Sequence, residues 1–139
     1  GYGLIGTQAN AISPRKRPLS SMTPTFLEFK NNFGIVGTPG GSRIISMVLI
    51  AALEFMKGEL PEVWVSARRF HHQYMPDLLQ FEKGAFSQEE RKQLAQKGHR
   101  LKELSRRYGN MQAILYDGTL RKVYTASDPR GEGSAMQMD

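Results

Sequence analysis

Two adjacent glycines, Gly40 and Gly41, stand in the run Gly37-Thr38-Pro39-Gly40-Gly41-Ser42-Arg43, between a strand-like stretch and a long apolar one. Consecutive glycines reach backbone conformations closed to other residues, and the first amides of a helix have no partner inside it. Such amides, aided by the positive end of the helix dipole, suit an anion or an oxyanion that develops during a reaction. The plainer reading is a tight turn whose glycines only avoid clashes, and spacing leaves both open. Nucleotide readings fall away, because the run lacks the Gly-Lys-Ser/Thr ending of a phosphate loop and the G-x-G-x-x-G spacing of a dinucleotide fingerprint.

Ser20 and Ser21 form a second candidate, in Lys16-Arg17-Pro18-Leu19-Ser20-Ser21-Met22-Thr23-Pro24. Paired hydroxyls on proline-bounded, extended backbone can hold a carboxylate through several charge-assisted hydrogen bonds. Three other readings compete: a phosphorylation site directed by Arg15, Lys16 and Arg17, a basic targeting or nucleic-acid patch, and a solvated loop whose hydroxyls satisfy local backbone. The run Arg69-Phe70-His71-His72-Gln73-Tyr74-Met75-Pro76-Asp77 is the third. Adjacent histidines in extended backbone point to opposite faces, and the remaining histidine, His99, is far along the chain. Histidines hydrogen-bonded in a packed segment are therefore the reading preferred over a metal site.

The whole chain has 139 residues, 40% of them hydrophobic and 23% charged, which suits one domain, or a piece of one, with a core. With no cysteine, disulfide frameworks, thiolate metal sites and cysteine nucleophiles drop out together. The longest apolar stretch, Ile44 to Met56, is interrupted by Ser46 and Glu54 and is shorter than the roughly 20 residues of a membrane span. No basic region followed by an apolar run opens the sequence, so a cytosolic chain, or a mature or internal segment, is expected. Nineteen Lys and Arg against thirteen Asp and Glu leave a net charge of +6. The excess gathers at Arg15 to Arg17 and through Arg91, Lys92, Lys97, Arg100, Lys102, Arg106 and Arg107. The second cluster reads as a solvated helix face, and with only Tyr108 adjacent it makes a poor platform for bases.

The elements that must position these residues follow from local pattern. Residues 1–24, rich in Gly, Pro, Ser and Asn, read as extended loop. Thr25 to Phe29 and Phe33 to Gly37 flank a turn and predict a β-hairpin. Arg43 to Lys57 predicts a buried helix, apolar on nearly every face and ended by Gly58. Pro61 starts a short helix towards Ala67. Ser87 with Glu90 has the form of a capping box opening a polar helix that Gly98 ends. Met111 to Tyr116 and Arg121 to Thr125 flank Asp117-Gly118, a hairpin turn. Hairpins around buried helices predict an α+β layered body with antiparallel pairing, and the all-round apolar helix needs more cover than so few strands provide.

Four runs, taken in order and spacing, closely resemble gamma-glutamyltransferase (gamma-glutamyltranspeptidase): Lys16 to Thr25, Gly37 to Ile45, Arg69 to Gln73 and Ser127-Asp128-Pro129-Arg130. Tyr2-Gly3-Leu4 and Ala9-Asn10-Ala11 are similar to the family too, so the resemblance covers nearly all of residues 1–139, as the C-terminal part of the family's small subunit. It implies part of a four-layer αββα N-terminal-nucleophile hydrolase sandwich with antiparallel sheets. It also implies autoproteolysis, and acyl transfer from glutathione-like gamma-glutamyl donors to water, an amino acid or a dipeptide. Gly40 and Gly41 would then form the oxyanion hole, and Ser20 and Ser21, on the extended substrate loop 1–24, would bind the donor's carboxylate. The threonine nucleophile and the arginine paired with that carboxylate would come from outside the chain, from the rest of the small subunit and the large subunit. The resemblance implies no cofactor, metal, nucleic-acid partner or membrane span, and a periplasmic or extracellular setting. A non-catalytic scaffold homologue, or a basic module for nucleic acid or anionic surfaces, is the alternative.

Overall fold

Alternating apolar residues after Pro24 pair as expected. A computed structural model describes residues 8–137, and in it β1 (Thr25–Phe29) and β2 (Asn32–Gly37) form an antiparallel hairpin joined by Lys30 and Asn31. Lys30 takes the left-handed backbone that the tight connection demands, with φ 56°. β2 pairs with β6 (Gln112–Asp117) and β6 with β7 (Lys122–Ser127), so the first sheet runs β1-β2-β6-β7 and is antiparallel throughout. The β6–β7 connection is longer than a two-residue Asp-Gly turn. Asp117 ends its strand opposite Lys122, and its carboxylate accepts the amides of Thr119 and Leu120 at 2.9 Å each.

Period-two alternation gives this sheet an inner face of Val36, Ala113, Leu115 and Ala126. Two helices cover it. α1 (Ile44–Lys57) follows a short 3-10 turn over Gly41–Arg43, and α2 (Pro61–Ser66) begins on its proline. Ile44, Met47, Val48, Ala51 and Phe55 of α1 and Trp64 and Val65 of α2 join the sheet residues in one core. Phe55 meets Trp64 edge-on, centroids 5.4 Å apart, and full burial of each such side chain stabilises by about 1.5–3 kcal/mol. Gly58, at φ 86°, stops α1 while its amide and that of Glu59 satisfy the carbonyls of Phe55 and Glu54.

A second sheet was not legible from the sequence. β3 (Phe70–His71), β4 (Leu79–Glu82) and β5 (Leu101–Leu104) lie in the order β3-β4-β5. β4 and β5 pair in parallel, which departs from the expected antiparallel pairing. The physical reason is α3 (Gln88–Gln96), which carries the chain back as a crossover connection. α3 opens on the anticipated capping box, with the Glu90 amide donating to Ser87 Oγ at 3.2 Å and the Ser87 amide to Glu90 Oε2 at 2.7 Å. Among the described residues no helix is long and apolar enough to cross a membrane.

Candidate active site

Gly40 and Gly41 stand at the head of α1, at φ 156° and 58°. Both values lie where side-chain-bearing residues are strained, so the doublet is required by conformation. The surroundings differ. A Cβ on Gly40 would lie 2.4 Å from Met47 Cε, whereas one on Gly41 would meet nothing within 4 Å. The Gly40 carbonyl accepts the Arg43 amide at 3.2 Å and closes the 3-10 turn, while the amides of Gly40 and Gly41 donate to no described protein acceptor. Both residues line a cavity of about 260 Å³.

His71 and Gln80 of the second sheet and Gln73 beyond β3 also line that cavity, with Arg43 from the helix side. Arg43 donates to Gln80 Oε1 and lies over the Tyr108 ring, 4.7 Å from its centroid. His71 is buried and bridges the elements: its Nδ1 is 2.6 Å from Ser46 Oγ on α1 and its Nε2 is 2.9 Å from Gln73 Oε1. The Gln73 amide nitrogen donates to the Met75 carbonyl, which turns its oxygen to His71. With Gln73 Oε1 as acceptor, His71 Nε2 is the donor of that bond, and Ser46 Oγ lies within hydrogen-bond distance of Nδ1. The expected packed, hydrogen-bonded histidine is found. His72 points the other way, 2.8 Å from Asp77 Oδ1, and its ring lies 5.7 Å from that of His99, a neighbour that sequence distance concealed. The His72 hydrogen bond holds the Asp77 carboxyl below its usual range. No group of three or more His, Asp or Glu among the described residues could hold a metal.

Ser20 and Ser21 lie on the exposed stretch between the 3-10 turn at Gln8–Asn10 and β1. Ser20 Oγ accepts the Met22 amide at 3.2 Å, and Thr23 Oγ1 donates to the Ser21 carbonyl at 3.1 Å. Neither lines the glycine cavity. The described residues therefore bring Gly40 and Gly41 together with Arg43, His71, Gln73 and Gln80, and leave the serine pair apart.

Between β4 and the end of β7 lies a buried ionic network that the sequence pattern did not reveal. Arg130 grips Glu82 through two bonds, Nη2 to Oε2 at 2.6 Å and Nε to Oε1 at 2.9 Å, and reaches Asp128 Oδ1 at 3.0 Å. Arg69 donates to Asp128 Oδ2 at 2.5 Å and to the carbonyls of Tyr108 and Val65. Asp128 also accepts the Met111 amide, and Glu82 the amides of Arg69 and Tyr108. Two cations and two anions balance, so burial is tolerable. Burial pushes both carboxyls up, but hydrogen bonds from Arg130 to Glu82, and from the Met111 and Arg130 amides and Arg69 to Asp128, outweigh it and hold both below their ordinary range. Burial, with Arg130 beside it, lowers Arg69, whereas the two carboxylates hold Arg130 up against desolvation. Burial and the Glu82 charge push the Tyr108 hydroxyl up to about 12. Arg69 follows Arg68 and Glu82 precedes Lys83, so neither charge stands out locally and nothing in its neighbourhood marks which partner it meets.

The family model for gamma-glutamyltranspeptidase matches residues 1–138. The chain belongs to the gamma-glutamyltranspeptidase family. It is 44% identical over 131 residues to the glutathione hydrolase proenzyme of Escherichia coli (strain K12), covering 93% of this chain and 22% of that protein. To the Pseudomonas aeruginosa glutathione hydrolase proenzyme it is 38% identical over 136 residues, covering 95% and 24%. The chain thus spans less than a quarter of these relatives' length. A crystal structure of an acivicin-inhibited gamma-glutamyltranspeptidase is similar at TM-score 0.81 and 38% identity, over 95% of this chain and 72% of that one. CapD, a transpeptidase of Bacillus anthracis, shares the fold at TM-score 0.75 and 23% identity, over 90% of this chain and 75% of that one. The architecture is the α+β fold of the N-terminal-nucleophile hydrolases. Of the runs that resemble gamma-glutamyltranspeptidase, Tyr2 to Leu4 lies outside the described residues. The others fall at the 3-10 turn Gln8–Asn10, on the exposed stretch leading into β1, at the head of α1, on β3 and its flank, and at the end of β7.

Proposed function

We propose that this chain forms the oxyanion and donor-carboxylate part of a site that transfers or hydrolyses gamma-glutamyl groups of glutathione-like donors. The observation that supports the reading is the Gly40-Gly41 pair, whose amides donate to no described protein acceptor and which lines a cavity at the head of α1. An N-terminal threonine from outside the chain attacks the donor's gamma-carbonyl carbon through its hydroxyl oxygen, whose proton passes to the leaving amine. The carbonyl electron pair moves to oxygen, and the two amides donate to the resulting oxyanion. The C–N bond then breaks, the amine leaves with a proton, and water or an amino-acid amine takes up the acyl group. Ser20 and Ser21 hold the donor's alpha-carboxylate, brought to the site by the rest of the enzyme, including the large subunit. His71 binds no substrate: locked between Ser46 and Gln73, it fixes the spacing of α1 and β3.

The reading is tested with a chromogenic gamma-glutamyl amide. The enzyme assembled with the remainder of its subunits turns the amide over, and the purified chain alone does not, because covalent catalysis needs a nucleophile that the chain does not supply. Turnover by the chain alone, or none by the assembled enzyme, overturns it.

A further inference from the structure

The basic stretch after α3 is left unexplained by acyl chemistry. Arg43, Lys102, Arg106 and Arg107 line one groove of about 680 Å³ with Tyr108 and Glu103. Even the single carboxylate is committed elsewhere, since Glu103 Oε2 lies 2.8 Å from Arg91 Nη2. Among the described residues Arg43 is held by neutral groups, the Gln80 amide oxygen and the Tyr108 ring. Lys102, Arg106 and Arg107 are exposed and make no ion pair with any described residue. Like charges gathered on one wall repel, and an anion relieves them.

Position gives that anion a meaning. Arg43 lines both this groove and the cavity beside Gly40 and Gly41, so the two spaces meet at one side chain. We propose that the groove is a subsite for an acidic peptide acting as the acyl acceptor, its amine directed towards Gly40 and Gly41 and its carboxylates lying along Arg43, Lys102, Arg106 and Arg107. The proposal rests on the acyl-transfer reading above and adds to it the charge class of the acceptor. Guanidinium forks match carboxylates in pairs of parallel hydrogen bonds, so the arginines orient as well as attract. A nucleic acid fits the groove less well, because Tyr108 is the one aromatic ring lining it and Arg43 already covers that ring's face.

The test uses the assembled enzyme and two matched acceptors, a peptide with several carboxylates and the same peptide with those groups amidated. Acceptor kcat/KM is higher for the acid form, and that advantage shrinks as salt rises. In R106Q/R107Q the ratio of the two acceptor KM values shifts against the acid form by about tenfold, the scale of two partly exposed charge pairs. K102Q shifts it in the same direction by less. Equal KM values for acid and amide forms overturn the subsite, as does an equal loss with both in the variants, which marks a structural role. Inhibition of transfer by a DNA oligonucleotide, with no preference for the acid peptide, also overturns it. Donor hydrolysis without acceptor is measured alongside. If it is absent from the unaltered enzyme, the acyl-transfer reading itself fails and the subsite with it; if it is present, a negative result with the acceptors counts against the groove alone.

Discussion

At Gly41 the backbone and the surroundings make separate demands. Its φ of 58° disfavours a side chain by roughly 1–2 kcal/mol, yet a Cβ there enters open space. Gly40 combines a φ of 156° with Met47 Cε 2.4 Å from any added Cβ, so there both strain and contact oppose substitution. Gly41→Val should therefore leave the assembled enzyme folded while misaiming its amide. On the proposed oxyanion role that amide would meet charge that appears only in the transition state, so the acylation rate should fall on the order of 100- to 1,000-fold, with donor affinity much less changed. The double substitution Ser20→Ala/Ser21→Ala should behave oppositely, because a carboxylate held in ground and transition states alike contributes uniform binding and its loss raises KM first. Single-turnover rates and donor KM measured on both variants check the contrast. A Gly41 variant that keeps its rate and loses only affinity returns the doublet to a plain tight turn. The doublet stood out because consecutive glycines before an apolar run mark a special backbone, while their spacing left a tight turn and an anion-binding turn equally open. The network of Arg69, Glu82, Asp128 and Arg130 was not, since residues dozens of positions apart carry no spacing signal.

Elements were legible in proportion to their local chemistry. The β1–β2 hairpin, α1, α2 and α3 each have period, cap or stop residues within a few positions, and each was found close to where those residues put it. The second sheet has no such marks. β3 holds two residues and β5 four, too short for alternation to show, and β5 reads Leu-Lys-Glu-Leu, a pattern equally at home in a helix. Its register is fixed from outside, by α3 and by the backbone bond from the Leu79 amide to the Arg100 carbonyl at 2.9 Å. α3 buries no residue, so its capping box carries an unusual share of its stability. Ser87→Ala removes the acceptor of the Glu90 amide and should cost about 1 kcal/mol. The loss should be local: faster amide hydrogen exchange in α3 and β5, with the Val36 and Leu115 amides of the first sheet unchanged. Uniform loss of protection across both sheets would show that α3 unfolds only with the whole body.

The whole molecule is held together at the junction of its sheets and left open on its outer faces. Glu82 and Asp128 are both held below their ordinary values of 4.5 and 3.8, so near those values the unfolded chain binds more protons than the folded one. The stability they contribute is complete above those values and is lost as pH falls through the lower folded ones. Arg69 and Arg130 stay charged throughout and are left unpaired in acid. Denaturant midpoints should fall steeply below about pH 4. Asp128→Asn should bring about 3–5 kcal/mol of destabilisation already at neutral pH and a shallower acid slope, since one of the two titrating groups is gone. An unchanged slope would remove Asp128 from the junction's energetics. The apolar excess foreseen for α1 is present, with Ile45, Leu49, Leu53 and Met56 on its outer side, each about half exposed. The larger open surface is the sheet: Phe26, Phe33, Ile35, Ile114, Tyr116 and Val123 all lie on the face away from α1, where a four-layer sandwich sets its second sheet. Aligned apolar rows on an uncovered sheet favour association. The chain purified alone should therefore sediment as oligomers and bind a hydrophobic dye. Phe33→Thr/Ile114→Thr, which keeps strand propensity and the pairing opposite Tyr116 and Ile35, should return it towards monomer. In the assembled enzyme the same pair should weaken subunit assembly, because a four-layer sandwich would cover that face. A monomeric, dye-silent chain before substitution would mean that the face is closed by the chain itself.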